Sequence, residues 1–115
     1  MSDIIYNWLK GYPGLELLQR QQVDAVPGGC GLFFRGSTVK DRRQNLLGQT
    51  QAQKTLHFRL NRYGQTQESA VFFLLLGAWV EQDGTATLKN ARCVRDEGGL
   101  ALWEADLEIT RWEDL

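Results

Sequence analysis

The feature that most constrains the fold is an apolar run, AVFFLLLGAWV, which extends from Ala70 to Val80. A helix that spans a bilayer needs about 20 such residues, so this shorter run predicts a buried helix and not a membrane span. We place the helix at Gln67–Gln82, with Thr66 as its N-cap and Asp83-Gly84 after its end.

This predicted helix has no polar face. One side carries Phe72, Leu75, Leu76 and Trp79, and the other carries Val71, Leu74 and Ala78. A helix that is apolar all round is covered on both sides. A sheet in so small a domain can cover one side only, so we expect the other to pack against a second subunit. The predicted interface residues of the helix are Phe72, Phe73 and Trp79.

The remaining elements follow from hydrophobic periodicity and turn residues. We predict a short helix from Ser2 or Asp3 to Lys10 and strands at Leu15–Val26, Gln49–Tyr63, Thr85–Arg95 and Ala101–Trp112, the last two joined by a hairpin at Asp96–Gly99. The order α-β-β-α-β-β predicts a single α+β domain over residues 1–115. An antiparallel sheet of about four strands is flanked by the short N-terminal helix and the one long apolar helix.

A glycine-rich stretch, VPGGCGLFFRGSTVKDRR, runs from Val26 to Arg43. Gly31 and Gly36 have the spacing of a phosphate-binding loop, but Ser37 stands where the Walker motif needs its lysine. Bulky apolar residues also occupy the spacer, where backbone amides would have to surround an anion. We therefore expect no nucleotide site here.

The same stretch has an apolar centre followed by a cationic end. The centre is Leu32, Phe33 and Phe34, and the cations are Arg35, Lys40, Arg42 and Arg43. Two interpretations of the centre stay open: packing into the chain's own core, which general burial preferences favour slightly, and an exposed anchor for another protein. Flanking glycines favour a hinged arm, Gly28–Arg43, and we predict these seven residues to be interface residues.

The charge pattern does not favour binding of nucleic acid. The net charge is −1 and the isoelectric point about 5.8, whereas nucleic-acid binding gains from a sustained basic surface. Glu104, Asp106 and Glu108 alternate along the last strand, which predicts a solvated face or a charged face that meets a basic partner.

Residues for catalysis or metal binding are few. His57, the one histidine, lies on the polar side of a predicted strand and has no nucleophile motif beside it. Cys30, in a predicted loop, and Cys93, in a predicted strand, form neither a CxxC motif nor a disulfide framework. We predict no catalytic residues, no cofactor and no metal, and therefore a protein that is not an enzyme.

Taken in order, several motifs resemble the small tail-terminator (tail-completion or "minor capsid") proteins of long-tailed phages and prophages. They are IIYNWLKGYPGLELLQ (Ile4–Gln19), VDAVPGGCGLFFRG (Val23–Gly36), RRQNLLGQ (Arg42–Gln49), LHFRLNRYG (Leu56–Gly64), FFLLLGAWVE (Phe72–Glu81) and LEITRW (Leu107–Trp112). Some members of that family are labelled chloramphenicol resistance proteins, although the residues here offer no acetyltransferase or efflux chemistry. The segment between Tyr63 and the long helix is shorter than in many relatives.

The resemblance implies a structural subunit that forms a ring, commonly a hexamer, which stops growth of the tail tube and joins tail to head. Its implied partners are copies of itself, the tail tube protein and a head-tail connector, with DNA passing the lumen non-specifically and no membrane. The implied location is the host cytoplasm during assembly and then the virion tail. Two alternatives stay open: a nucleic-acid-associated accessory protein that uses the basic residues 35–43, and a small enzyme with an unrecognised pocket.

Overall fold

The computed structural model describes residues 3–44 and 46–114, without the side chains of Asp41 and Asp114. Its elements are α1 (Asp3–Lys10), β1 (Gln19–Arg20), β2 (Cys30–Gln44), β3 (Thr50–Gly64), α2 (Thr66–Glu81), β4 (Ala86–Glu97) and β5 (Leu100–Asp114). The predicted α+β class is confirmed, and the long apolar run forms α2. Among these residues, no helix is long and apolar enough to cross a membrane.

The strands form one sheet in the order β1-β2-β3-β5-β4. All neighbours are antiparallel except the two-residue strand β1, which pairs in parallel with β2. The two central strands, β3 and β5, pair without a register shift from Gln51–Asp114 to Gly64–Ala101. The predicted hairpin joins β4 to β5 through Gly98 and Gly99, which both have positive φ.

Both helices pack on the same face of the sheet. Ile5 and Leu9 of α1 and Leu76 of α2 belong to one buried cluster together with Leu60 and Leu107 of the central strands. The helices also meet each other, because the rings of Trp8 and Trp79 stack with centroids 5.1 Å apart. The described residues therefore share one core, between one sheet face and the two helices.

The strands are much longer than the helices that cover them. A strand of 15 residues, the length of β3, extends for about 50 Å, whereas the 16-residue helix α2 is about 24 Å long. The molecule accordingly measures 58 × 23 × 23 Å. The covered half is here called the body, and the projecting half, residues 37–44, 46–55 and 111–114, is called the arm.

The segment predicted as a strand at Leu15–Val26 is mostly irregular, and only Gln19–Arg20 pairs with the sheet. Leu15 and Leu18 are both buried, and the amide of Leu18 donates to the carbonyl of Leu15, so their spacing belongs to a turn and not to a strand. Gln21 then has a positive φ of 57°. The prediction was wrong because two buried leucines three residues apart were assigned to an alternating strand.

The start of α2 also differs from the prediction. Gln65 is the N-cap and makes no side-chain capping bond, while the hydroxyl of the predicted cap, Thr66, donates to Asp96 of β4 at 3.4 Å. Arg62 of β3 stabilises the first turn of α2, because its guanidinium donates to Ser69 at 2.9 Å and to Glu68 at 2.7 Å. This buried arginine ties the helix to the sheet.

Candidate interaction surfaces

The segment Gly28–Arg43, which the sequence predicted to be hinged, is almost entirely strand β2. This strand pairs with β3 from Cys30–Arg62 to Gln44–Thr50. Gly31 is required for close packing, since a Cβ atom there would lie 2.0 Å from the carbonyl oxygen of Gln22. Gly36, with φ of 119°, lies at a bulge in the strand. The glycines therefore serve packing and strand curvature, and the projecting element is a paired β-hairpin.

The apolar centre of the stretch divides between the core and the surface. Leu32 has an exposed fraction of 0%, so its predicted contact with another subunit is wrong, and the interpretation as core packing holds for it. Phe33 is half-buried. Phe34 is 39% exposed, with its ring 5.4 Å from that of Phe58. Cys30 is buried at the start of β2 and not in a loop, and burial raises the pKa of its thiol.

The predicted cations are all exposed. Arg35 and Lys40 lie at the two bulges of β2, and Arg42 and Arg43 lie near the end of the hairpin. The guanidinium of Arg43 lies 3.9 Å from the centroid of the Trp112 ring on β5, which is the geometry of a cation–π contact across the arm.

The end of the arm is apolar. Leu46 and Leu47, here called the tip, have exposed fractions of 106% and 84%. The tip was not among the predicted interface residues and belonged only to the RRQNLLGQ motif, although two adjacent leucines between a cationic pair and Gly48 were a signal for an exposed anchor.

Helix α2 buries only one of its two apolar sides. Phe73 is 3% exposed and packs in the core, so its predicted role as an interface residue is wrong. The other two predicted interface residues, Phe72 and Trp79, are half-buried, and both contact the ring of Tyr12. These aromatic rings fasten α2 to the N-terminal segment.

The opposite side of α2 faces away from the sheet. Val71, Leu74, Leu75 and Ala78, here called the stripe, are all exposed, with 73% of Leu74 accessible. Their spacing of three and four residues places them on one face of the helix. The structure therefore leaves uncovered the second side that the sequence predicted to need a cover, although Leu75 lies on this side and not beside Phe72.

A groove of about 560 Å³ borders the stripe, between α2 and the edge strand β4. Leu74, Gly77 and Ala78 line it from the helix, and Leu88 and Trp103 line it from the sheet. The indole Nε1 of Trp103 is buried and has no acceptor among the described residues. A buried donor without an acceptor lowers the stability of the folded chain.

The two edges of the sheet are formed by β4 and, beyond the two residues that pair with β1, by β2, and both are poor templates for strand addition. Strand β2 has register shifts between Phe34 and Gly36 and between Val39 and Arg42, and β4 also has two. Bulges and exposed cations on edge strands oppose pairing with another chain. The tip and the stripe are therefore better contact surfaces than the sheet edges.

The acidic residues of β5 are paired within the chain, on the sheet face away from the helices. Glu104 lies 2.5 Å from Arg92 and 3.4 Å from Arg59, and Glu108 lies 2.8 Å from Lys89. Hydrogen bonding to Glu108 raises the pKa of Lys89. The sheet face thus meets its basic partners inside the chain.

His57 lies within the same charged face. Its Nε2 atom is 3.0 Å from the Thr38 hydroxyl, and its Nδ1 atom is 3.6 Å from Glu108. This order resembles a hydroxyl–histidine–carboxylate relay, but the second distance exceeds a hydrogen bond. The adjoining cavity of about 190 Å³ is smaller than typical ligand pockets, which begin near 300 Å³. Across residues 3–44 and 46–114, no cluster of His, Cys, Asp or Glu could hold a metal ion.

No protein-family profile matches the chain, and no curated protein matches it significantly in sequence.

Proposed function

We propose that this protein is a structural subunit of a phage or prophage tail. It terminates the tail tube and takes part in head-tail joining by assembling non-covalently into a ring, a hexamer as the resemblance implies. The observation that carries the proposal is the stripe, an apolar surface on the side of α2 away from the chain's own core. Contiguous exposed apolar surface of this kind is typical of protein contact sites.

The arm supports the same proposal. It projects from the body as paired strands, with apolar residues at its tip and cations along β2. An element that extends beyond the core contributes little to the stability of its own chain but can reach another subunit. Arg35, Lys40, Arg42 and Arg43 would orient that contact or line a lumen through which DNA passes without sequence recognition.

The proposed partners are copies of this chain, the tail tube protein and the head-tail connector. The protein acts in the host cytoplasm during assembly and then remains in the virion tail. Its mechanism is steric: a ring matches the last ring of the tube and presents its opposite face to the head. No residue is assigned a catalytic role.

Deleting the gene from the phage or prophage that carries it tests the proposal. We expect tails of uncontrolled length and filled heads that do not join them, visible by negative-stain electron microscopy. Complementation with the wild-type gene should restore joined particles, whereas the double variant Leu74→Asp/Leu75→Asp should not. Normal particles from the deletion strain would refute the proposal.

A nucleic-acid-associated role is the second candidate, favoured by the exposure of all four cations on β2. It predicts duplex DNA binding that weakens with salt and is abolished by Arg42→Ala together with Arg43→Ala. Nucleic-acid binding gains from a sustained basic surface, whereas these four cations belong to a chain of net charge −1, so this candidate ranks below the tail subunit.

A further inference from the structure

We draw no further inference here: the strongest candidate, the groove of about 560 Å³ between α2 and β4 together with the exposed stripe beside it, carries no proposal because nothing in the structure shows what covers it.

Discussion

The body and the arm share three strands, yet they are stabilised differently. In the body, Phe58, Leu60 and Leu107 lie under two helices and are almost fully buried. In the arm the same strands continue without a helix above them, and Val39, Leu46 and Trp112 are exposed. Ala52 and Thr55 are buried within the arm, but most of its described side chains are exposed. Backbone pairing and contacts such as that of Arg43 with Trp112 therefore stabilise the arm, while most of the side-chain burial stabilises the body.

The largest expected effect comes from a matched pair of leucine truncations. Leu60→Ala should lower the free energy of unfolding by about 2–5 kcal/mol, because Leu60 is completely buried and its removal leaves a cavity. Leu46→Ala should change it by less than about 0.5 kcal/mol. Urea unfolding followed by circular dichroism measures both. Equal losses would contradict the division into body and arm.

Two arginines that lie over aromatic rings give the next largest contrast. Arg62 lies 4.6 Å from the Phe72 centroid, is buried, and bonds Ser69 and Glu68. Arg62→Ala should therefore cost about 2–3 kcal/mol of unfolding free energy.

The exposed Arg43, which lies over Trp112 in the arm, is the control. Arg43→Ala should cost at most about 1 kcal/mol. Thermal or urea unfolding of both variants under one buffer condition makes the comparison. A larger loss for Arg43 would show that the arm contributes to the core stability of the chain.

Amide hydrogen exchange tests the same contrast without substitution. Residues 58–63 of β3 lie in the body and residues 51–55 of the same strand lie in the arm. We expect exchange in the arm to be at least about tenfold faster, because its amides can open without disrupting the core. Uniform protection along β3 would mean that the strand unfolds as a single unit.

The smallest effect concerns Glu16, an exposed residue of the body. Backbone amides, including that of Gly14 at 3.0 Å, hold the pKa of its carboxyl group below the ordinary 4.5. A lowered pKa in the folded state stabilises the protein above pH 4.5, and this contribution is lost as the pH falls through the folded-state value. Glu16→Gln should thus lower the melting temperature slightly at neutral pH and progressively less in acid. A difference that grows in acid would contradict this assignment.

The elements predicted well are those whose side-chain periodicity is undisturbed. The alternation at Ala101–Trp112 became β5 (Leu100–Asp114), and the apolar run at Gln67–Gln82 became α2 (Thr66–Glu81). Strand β2 escaped prediction because its two bulges shift the alternation and its glycines are typical of loops. The predicted strand at Gln49–Tyr63 is longer in space than the predicted helix, which indicates that part of the sheet extends beyond the helix. The sequence does not show which end of the sheet the helix covers, because that depends on the packing of α2 against the strands.

The residues on the exposed side of α2 were predicted less well than the position of the helix in the chain. An apolar helix indicates two covered sides, but its sequence does not fix the rotation that decides which residues meet the sheet. Phe73 proved to be core, and Leu74 and Leu75 proved to be exposed. Likewise Leu32 and Phe34, two residues apart on β2, differ from fully buried to partly exposed because Phe34 adjoins the bulge.

Light-scattering mass measurement over a range of protein concentrations, with and without the tail tube protein, tests the central claim most directly. The account predicts that the wild-type mass rises to a fixed multiple of 13.1 kDa when the protein is alone, or that a fixed number of 13.1 kDa chains adds to the mass of the tube. It also predicts that Leu74→Asp/Leu75→Asp remains at the mass of one chain in both conditions. A wild-type protein that remains a single chain in both conditions, or a double variant that assembles like the wild type, would contradict the account.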